Sequence, residues 1–362
     1  MTPLRVALFG YGYAGRTIHA PLVAAVPGLQ LAVVCSGDAA KVQADWPGIH
    51  VDPDAAAICD RDDIDIVVIA TPNASHHALA SRALAAGRHV VVDKPFTLTF
   101  AEARDLDRRA RARGVVLSAF HNRRWDADFL TLRALLDAGT VGRVVHFESH
   151  FDRYRPQVRD RWRERATPGA GLWYDLGPHL VDQALELFGW PEAIQADVEL
   201  QRAGASVDDW FHVILRYPAP HAALRVILHA GALVAAIGPR FVVQGELAGY
   251  VKHGLDVQEE QLKAGVRPRT GAHGVEPPGF GVDPAKGRLV VPAADTVRET
   301  AIDQRRGDYV AYYRALRDAV LGDGPVPVDA LAAVRVMRII EAGIASATRR
   351  REVALSRDPA SG

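Results

Sequence analysis

Leu4-Arg5-Val6-Ala7-Leu8-Phe9-Gly10-Tyr11-Gly12-Tyr13-Ala14-Gly15 decides the fold of this 362-residue chain. An apolar run of strand length passes directly into G-x-G-x-x-G, and the residues that follow open a helix. Each glycine has a separate task in such a turn. One makes the tight bend, one lets backbone N–H groups approach a pyrophosphate, and one lets helix and strand pack closely with the helix N-terminus facing the anion. The stretch predicts a dinucleotide cradle made of Gly10, Tyr11, Gly12, Tyr13, Ala14 and Gly15.

Outward from that turn the same grammar repeats to about residue 120. Leu29–Cys35, Ile64–Ala70, His89–Val92 and Val115–Ala119 read as buried strands, and Ala74–Ala86 and Phe100–Arg113 as helices between them. The alternation specifies a parallel sheet with right-handed crossovers, a doubly wound α/β domain. After residue 122 the pattern changes. A helix over Asp126–Ala138 leads to Arg143–Phe151, Val207–Tyr217, Ala222–His229 and Phe241–Gln244, which alternate with period two and lack helices long enough to be crossovers. Residues 253–287, rich in Gly and Pro, read as a long excursion, and helices follow over Asp308–Leu321 and Asp329–Thr348. The expected organisation is a Rossmann domain over residues 1–122 and an α+β domain with a large, open, mainly antiparallel sheet over residues 123–362.

Composition excludes several function classes. Lys+Arg and Asp+Glu number 43 each, so no global field favours nucleic acid or an anionic membrane. Cys35 and Cys59 offer no disulfide framework and no metal-ligand spacing, so no metal is called for, and they suit a reducing compartment. The N-terminus lacks the basic, apolar and cleavage regions of a signal peptide, and the longest charge-free run is broken by Pro21, Pro27 and Gly28. A cytoplasmic protein with no membrane partner is expected.

Further candidates lie at the ends of the parallel strands, where ligands of open α/β sheets bind. After the second strand, Asp38 would accept from an adenosine ribose diol and so favour NAD, whereas Ser36 and Lys41 would hold a 2′-phosphate; Asp38 as the N-cap of the next helix is an equal alternative. Thr71-Pro72-Asn73, with His76 beyond, and Asp93-Lys94-Pro95 close the third and fourth of these strands and are assigned to the cofactor side of the site. Tyr174-Asp175-Leu176-Gly177-Pro178-His179 places a carboxylate and an imidazole four residues apart, with Pro178 suited to the first turn of a helix running to Phe188. That pair can do base chemistry, or Asp175 can merely cap the helix while His179 packs. The basic-aromatic stretch Arg153-Tyr154-Arg155-Pro156 to Arg165 is interleaved with Asp152, Asp160 and Glu164. It reads better as a loop over a hydroxyl-rich ligand than as a nucleic-acid contact.

With GYGYAG, TPN, DKP and YDLGPH in this order, the whole chain resembles the glucose-fructose oxidoreductase / inositol dehydrogenase (Gfo/Idh/MocA) family. His19-Ala20-Pro21, His121-Asn122-Arg123-Arg124-Trp125-Asp126, Arg153-Tyr154-Arg155-Pro156, Asp160-Arg161-Trp162-Arg163 and Met337-Arg338-Ile339-Ile340-Glu341 are similar to its scyllo-inositol dehydrogenase branch. The resemblance implies an NAD- or NADP-dependent enzyme acting on a cyclic polyol or sugar, with Lys94, Asp175 and His179 catalytic. Asn122 and Arg124 join the cofactor contacts, and Arg124, Tyr154, Trp162, Trp173 and Tyr174 are candidates for gripping substrate. Asp93 stands where the family usually has Glu, and the Arg typical of NADP-using inositol members after the second strand is missing. A sugar or anhydro-sugar reductase, or a cofactor-sensing regulator on the same fold, are the alternatives. The uncovered face of the second sheet implies a homodimer or homotetramer.

Overall fold

The computed structural model describes residues 2–271 and 274–361, which form two compact units. The first comprises residues 1–125, 257–281 and 308–334, and the second residues 126–256, 282–307 and 335–362. Residues 257–281 and 308–334, beyond the expected division after residue 122, thus pack with the first unit.

The first unit is built on six parallel strands: β1 (Leu4–Phe9), β2 (Leu29–Cys35), β3 (His50–Asp52), β4 (Ile66–Ile69), β5 (His89–Val92) and β6 (Leu117–Ala119), in the order β3-β2-β1-β4-β5-β6. The order reverses at β1/β4, so the ends of β1, β4 and β5 share the crevice where such sheets bind ligands. Val67, Val68 and Ile69 of β4 and Val90, Val91 and Val92 of β5 are fully buried, as a sheet covered on both faces requires. Helix Phe100–Arg113 carries a complete capping box, Thr99 with Glu102, and ends at Gly114 in the left-handed conformation. The returning segments supply cover: Tyr312 donates to or accepts from Ser118 Oγ at 2.8 Å, and Tyr313 Oη lies 2.6 Å from His19 Nδ1.

The second unit carries a nine-stranded mixed sheet. Its strands are β7 (Val144–His150), β8 (Ala193–Glu199), β9 (Trp210–Arg216), β10 (Arg225–Gly231), β11 (Phe241–Gly245) and β12 (Gly249–Lys252). Beyond the short pair β13 (Arg269–Gly271) and β14 (Gly274–Glu276), which belongs to the first unit, come β15 (Gly287–Ala293), β16 (Thr296–Ile302) and β17 (Val353–Ala354). The order is β16-β15-β12-β11-β7-β10-β9-β8-β17, antiparallel except for the β7/β10 pair. Helix Leu172–Phe188 packs on β9 and β10. Phe147 of β7 meets Phe188 edge-on at 5.2 Å, so the alternate residues His146, Glu148 and His150 occupy the opposite face.

Candidate functional site

In the first unit the three glycines of the β1 turn are held for three different reasons. Gly10 has φ +91°, and a Cβ there would lie 2.8 Å from the Ala70 carbonyl oxygen at the end of β4. A Cβ on Gly15 would lie 2.0 Å from the Gly10 carbonyl oxygen, so only glycine lets the helix start against the turn. Around Gly12 nothing lies within 4 Å of that position. The open space above Gly12, beside a helix start, fits the pyrophosphate of a dinucleotide. The helix begins as a π turn over Gly15–His19 before Ala20–Ala24.

The turn's side chains are anchored from outside. Tyr11 Oη donates to Asp45 Oδ2 at 2.9 Å, Arg16 pairs with both Asp45 oxygens at 2.6 and 2.9 Å, and burial beside Asp45 pushes the Tyr11 phenol up to about 12. Tyr13 Oη donates to Glu259 Oε1 at 2.7 Å, and Glu259 Oε2 also receives Arg123 at 2.8 Å. Glu259 belongs to helix Gln258–Lys263, inside the stretch that reads from sequence as a long excursion. No local motif marks it, because its partner Tyr13 is 246 residues away.

At the end of β2, Asp38 caps helix Ala39–Asp45 by accepting from Lys41 N at 3.0 Å, while its own N–H donates to Ser36 Oγ at 3.1 Å. Lys41 Nζ donates to the Tyr11 carbonyl at 3.1 Å. The structure thus brings Ser36, Asp38 and Lys41 to one corner beside the glycine turn, and the helix-capping alternative for Asp38 is realised.

His76, 1% exposed, joins the ends of β4 and β5: its Nδ1 lies 2.8 Å from the Pro95 carbonyl and its Nε2 3.0 Å from the Thr71 carbonyl, and burial holds its pKa below the usual histidine value. It positions both loops rather than facing solvent. Thr71 Oγ1 and Ser75 Oγ share a 2.6 Å hydrogen bond, and Asn73 is buried. Asp93 accepts from Lys94 N at 2.7 Å and lies 3.8 Å from His19 Nε2. Burial alone would raise its pKa, but His19, Lys94 and His76 outweigh it and hold the carboxyl at about 2. The Lys94–Pro95 peptide is cis. Asn122 and Arg124 lie on a 3-10 turn over Asn122–Trp125 that follows β6, with Asn122 buried and Arg124 half-buried.

In the second unit, helix Leu172–Phe188 starts six residues before Pro178, so the proline is inside the helix rather than in its first turn. The start is fixed by Asp208. Its Oδ2 accepts from Trp173 N at 2.6 Å, its carbonyl from Leu172 N at 2.8 Å, and a Cβ on Gly171, at φ +94°, would strike its Oδ1 at 2.0 Å. Burial pushes the Asp208 carboxyl up to about 6. Nothing in the sequence signalled this residue, because it reaches the helix from a distant loop.

Asp175 and His179 lie one turn apart on this helix, His179 buried at 5% exposure. The Asp175 carboxylate faces Arg163 Nε at 3.6 Å and Arg153 Nη1 at 3.9 Å. These groups line a cavity with Arg155, Arg161 and Arg202. Arg202 is tied down by Glu164 at 3.1 Å and Asp209 at 2.7 Å, whereas Arg155 has its pKa lowered by burial and by Arg161 and Arg159. Trp162 is half-buried with the Arg163 guanidinium 4.6 Å from its ring, Tyr174 is half-buried, and Tyr154 is exposed. Trp173 is a correction. It is 1% exposed, packs edge-on against Phe211, donates to the Ile340 carbonyl at 3.0 Å, and would be struck by a Cβ on Gly177 or Gly343. It is core and has no surface left for a substrate.

Residues 4–121 match the profile of the oxidoreductase family's NAD-binding Rossmann fold, and residues 133–355 that of its C-terminal alpha/beta domain. The chain belongs to the Gfo/Idh/MocA oxidoreductase family. It is 51% identical to "Uncharacterized oxidoreductase YdgJ" of Escherichia coli over 98% of this chain and 99% of that one. It is 35% identical to "scyllo-inositol 2-dehydrogenase (NADP(+)) IolW" of Bacillus subtilis over 97% and 96%. A solved oxidoreductase structure from Yersinia pestis superposes with a TM-score of 0.91 at 47% identity, covering 98% of this chain and 97% of the other. This Gfo/Idh/MocA member is therefore an NAD(P)-dependent oxidoreductase of the dehydrogenase kind, as its motifs imply. Among the described residues no helix is long and apolar enough to cross a membrane.

Proposed function

We propose that this chain transfers a hydride between nicotinamide and a ring carbinol or ketone of a cyclic polyol or sugar, with scyllo-inositol and its ketone as first candidates. The observation that carries the reading is Asp175 one turn before His179 at the head of a firmly capped helix, beside an arginine-lined cavity. The IolW relative supports the choice of polyol. When bound, NAD(P) supplies the hydride acceptor at the nicotinamide ring.

The roles of the protein groups follow from their chemistry. His179 removes the hydroxyl proton during oxidation. Asp175 favours the imidazolium that results, and its carboxylate faces Arg163 and Arg153. The Lys94 ammonium stabilises the developing alkoxide, and Asp93 and His76 fix the loop that presents it. Arg124, Tyr154, Trp162 and Tyr174 remain the candidates for binding hydroxyls, joined by Arg155. Ser36, Asp38 and Lys41 decide between NAD and NADP. The protein acts in the cytoplasm as a homodimer or homotetramer joined through the open face of the second sheet, and light scattering that returns a monomer at micromolar concentration removes the assembly claim.

The deciding experiment is a panel of inositols, aldoses and ketoses, each offered with NAD and NADP and followed at the absorbance of reduced nicotinamide. Turnover of inositols supports the reading, and turnover of sugars alone moves the substrate to that class. No turnover with any member despite tight dinucleotide binding refutes the enzyme reading in favour of a cofactor sensor.

A further inference from the structure

The face of the second sheet opposite helix Leu172–Phe188 carries a row of histidines across three strands. Register places His150 of β7 beside His229 of β10, and His229 beside His212 of β9. Asp152, two residues past His150, points to the same corner. His150 Nδ1 lies 3.6 Å from Asp152 Oδ2, His229 Nε2 lies 3.4 Å from Asp152 Oδ1, and all three ligand atoms fall within 4.8 Å of one another.

The contacts around this corner leave a gap that suits a cation. The His150 Nε2 lies 2.8 Å from Glu148 Oε2, which leaves Nδ1 as the ring nitrogen that faces Asp152. At 3.6 Å, His150 Nδ1 and Asp152 Oδ2 are too far apart for a hydrogen bond. Two carboxylates and two imidazoles thus meet in a half-buried corner, with the Asp152 side chain only 6% exposed. Around a tetrahedral ion with bonds of about 2.0–2.1 Å, neighbouring ligand atoms stand about 3.4 Å apart. The two measured separations, 3.6 and 3.4 Å to the two Asp152 oxygens, come within a few tenths of an ångström of that value. The Glu148–His150 hydrogen bond is the outer-shell contact that orients a metal-binding imidazole.

We propose that His150, Asp152 and His229 bind one divalent cation of the zinc type, with Glu148 as the orienting partner of His150 and a fourth position that none of these residues fills. The donor set of two imidazoles and one carboxylate favours zinc or a neighbouring borderline ion over calcium or magnesium. The ion acts structurally. It ties the end of β7 to β10 where the chain leaves for Arg153, which lines the arginine cavity.

The test uses the full-length protein without a polyhistidine tag, stripped with a chelator and titrated with Co²⁺ by visible absorbance and with Zn²⁺ by calorimetry. One ion per chain is expected, together with a melting temperature that rises with added Zn²⁺. His150→Ala and His229→Ala should each weaken binding at least tenfold, and Glu148→Gln, which keeps every ligand, by about 10–100-fold. Far-UV circular dichroism and retained dinucleotide binding certify that each variant is folded, and Asp152→Asn substitutes for any that is not. Absence of saturable binding below about 0.1 mM, or equal binding in wild type and folded variants, overturns the proposal.

Discussion

Gly12→Ala and Gly15→Ala add the same methyl group three residues apart, and the structure predicts opposite consequences. At Gly15 the new carbon would sit 2.0 Å from the Gly10 carbonyl oxygen, well over an ångström inside ordinary contact, and both sides of the clash are backbone. Neither can rotate away, so β1 and the helix must separate, at an overpacking cost of about 1–3 kcal/mol or more. At Gly12 nothing lies within 4 Å and φ is not in the left-handed region, so the folded chain accommodates the methyl with a stability change within about 0.5 kcal/mol. The same methyl occupies the space assigned to the pyrophosphate, and displacing that contact should raise the dinucleotide Kd at least tenfold, about 1.4 kcal/mol. Denaturant unfolding gives the first quantity and titration of protein fluorescence with NAD and NADP gives the second. The expected pattern is Gly12→Ala stable and weakly binding, with Gly15→Ala destabilised. Wild-type affinity in Gly12→Ala would refute the placement of the pyrophosphate over that residue.

Other outcomes test other parts of the site. His179→Ala should retain dinucleotide affinity while turnover falls by about 10²–10⁴, and a limb of kcat/KM for oxidation that rises with pH should vanish; a variant that keeps more than a tenth of wild-type turnover removes His179 as the base. Asp38→Ala should weaken NAD by about 1–3 kcal/mol and spare NADP, whereas Lys41→Ala should weaken NADP selectively; equal losses for both cofactors in both variants would show the ribose site misplaced. Asp93, held at about 2 against an ordinary 3.8, contributes stability on the order of 2 kcal/mol that is present above pH 4 and is lost as the pH falls towards 2. Acid unfolding followed by circular dichroism should show this component in wild type and not in Asp93→Asn.

The parallel half of the fold was legible because its signals are local. Buried strands such as Leu29–Cys35 and His89–Val92 are continuous apolar runs, and the capping box with Gly114 marks both ends of Phe100–Arg113. β3 escaped because three half-polar residues at a sheet edge carry no periodicity. β8 escaped because Ala193–Glu199 buries small alanines beside one isoleucine and exposes Gln195, Asp197 and Glu199, and β15 and β16 because few of their side chains are buried. The candidate site was legible where a motif concentrates its residues, at Gly10–Gly15 and in the proposed set of Lys94, Asp175 and His179. It was illegible where support comes from afar, as with Glu259 beneath Tyr13 and Asp208 at the head of the Asp175 helix. Trp173 shows the opposite error. Its neighbours in sequence advertise a ligand site, while the glycines that box it in, Gly177 and Gly343, are on two different helices.

The discontinuity of the first unit has a consequence for the order in which the protein is made. Ser118 of β6 is hydrogen-bonded to Tyr312 and to the Val328 carbonyl, 194 and 210 residues further along, and Val328 also receives the Ala119 N–H. At synthesis rates of about 5–20 residues per second, roughly ten to forty seconds separate the emergence of β6 from that of the residues that close its edge. During that interval the nascent sheet offers an open strand edge to any passing chain, a hazard the finished protein no longer carries. The ring of Phe120, later packed against Tyr312 and Tyr313, waits for the same residues. A fragment ending at Trp125 stays in that unfinished state, so the dinucleotide-binding half of this protein is not a module that can be cut out by a single break in the chain.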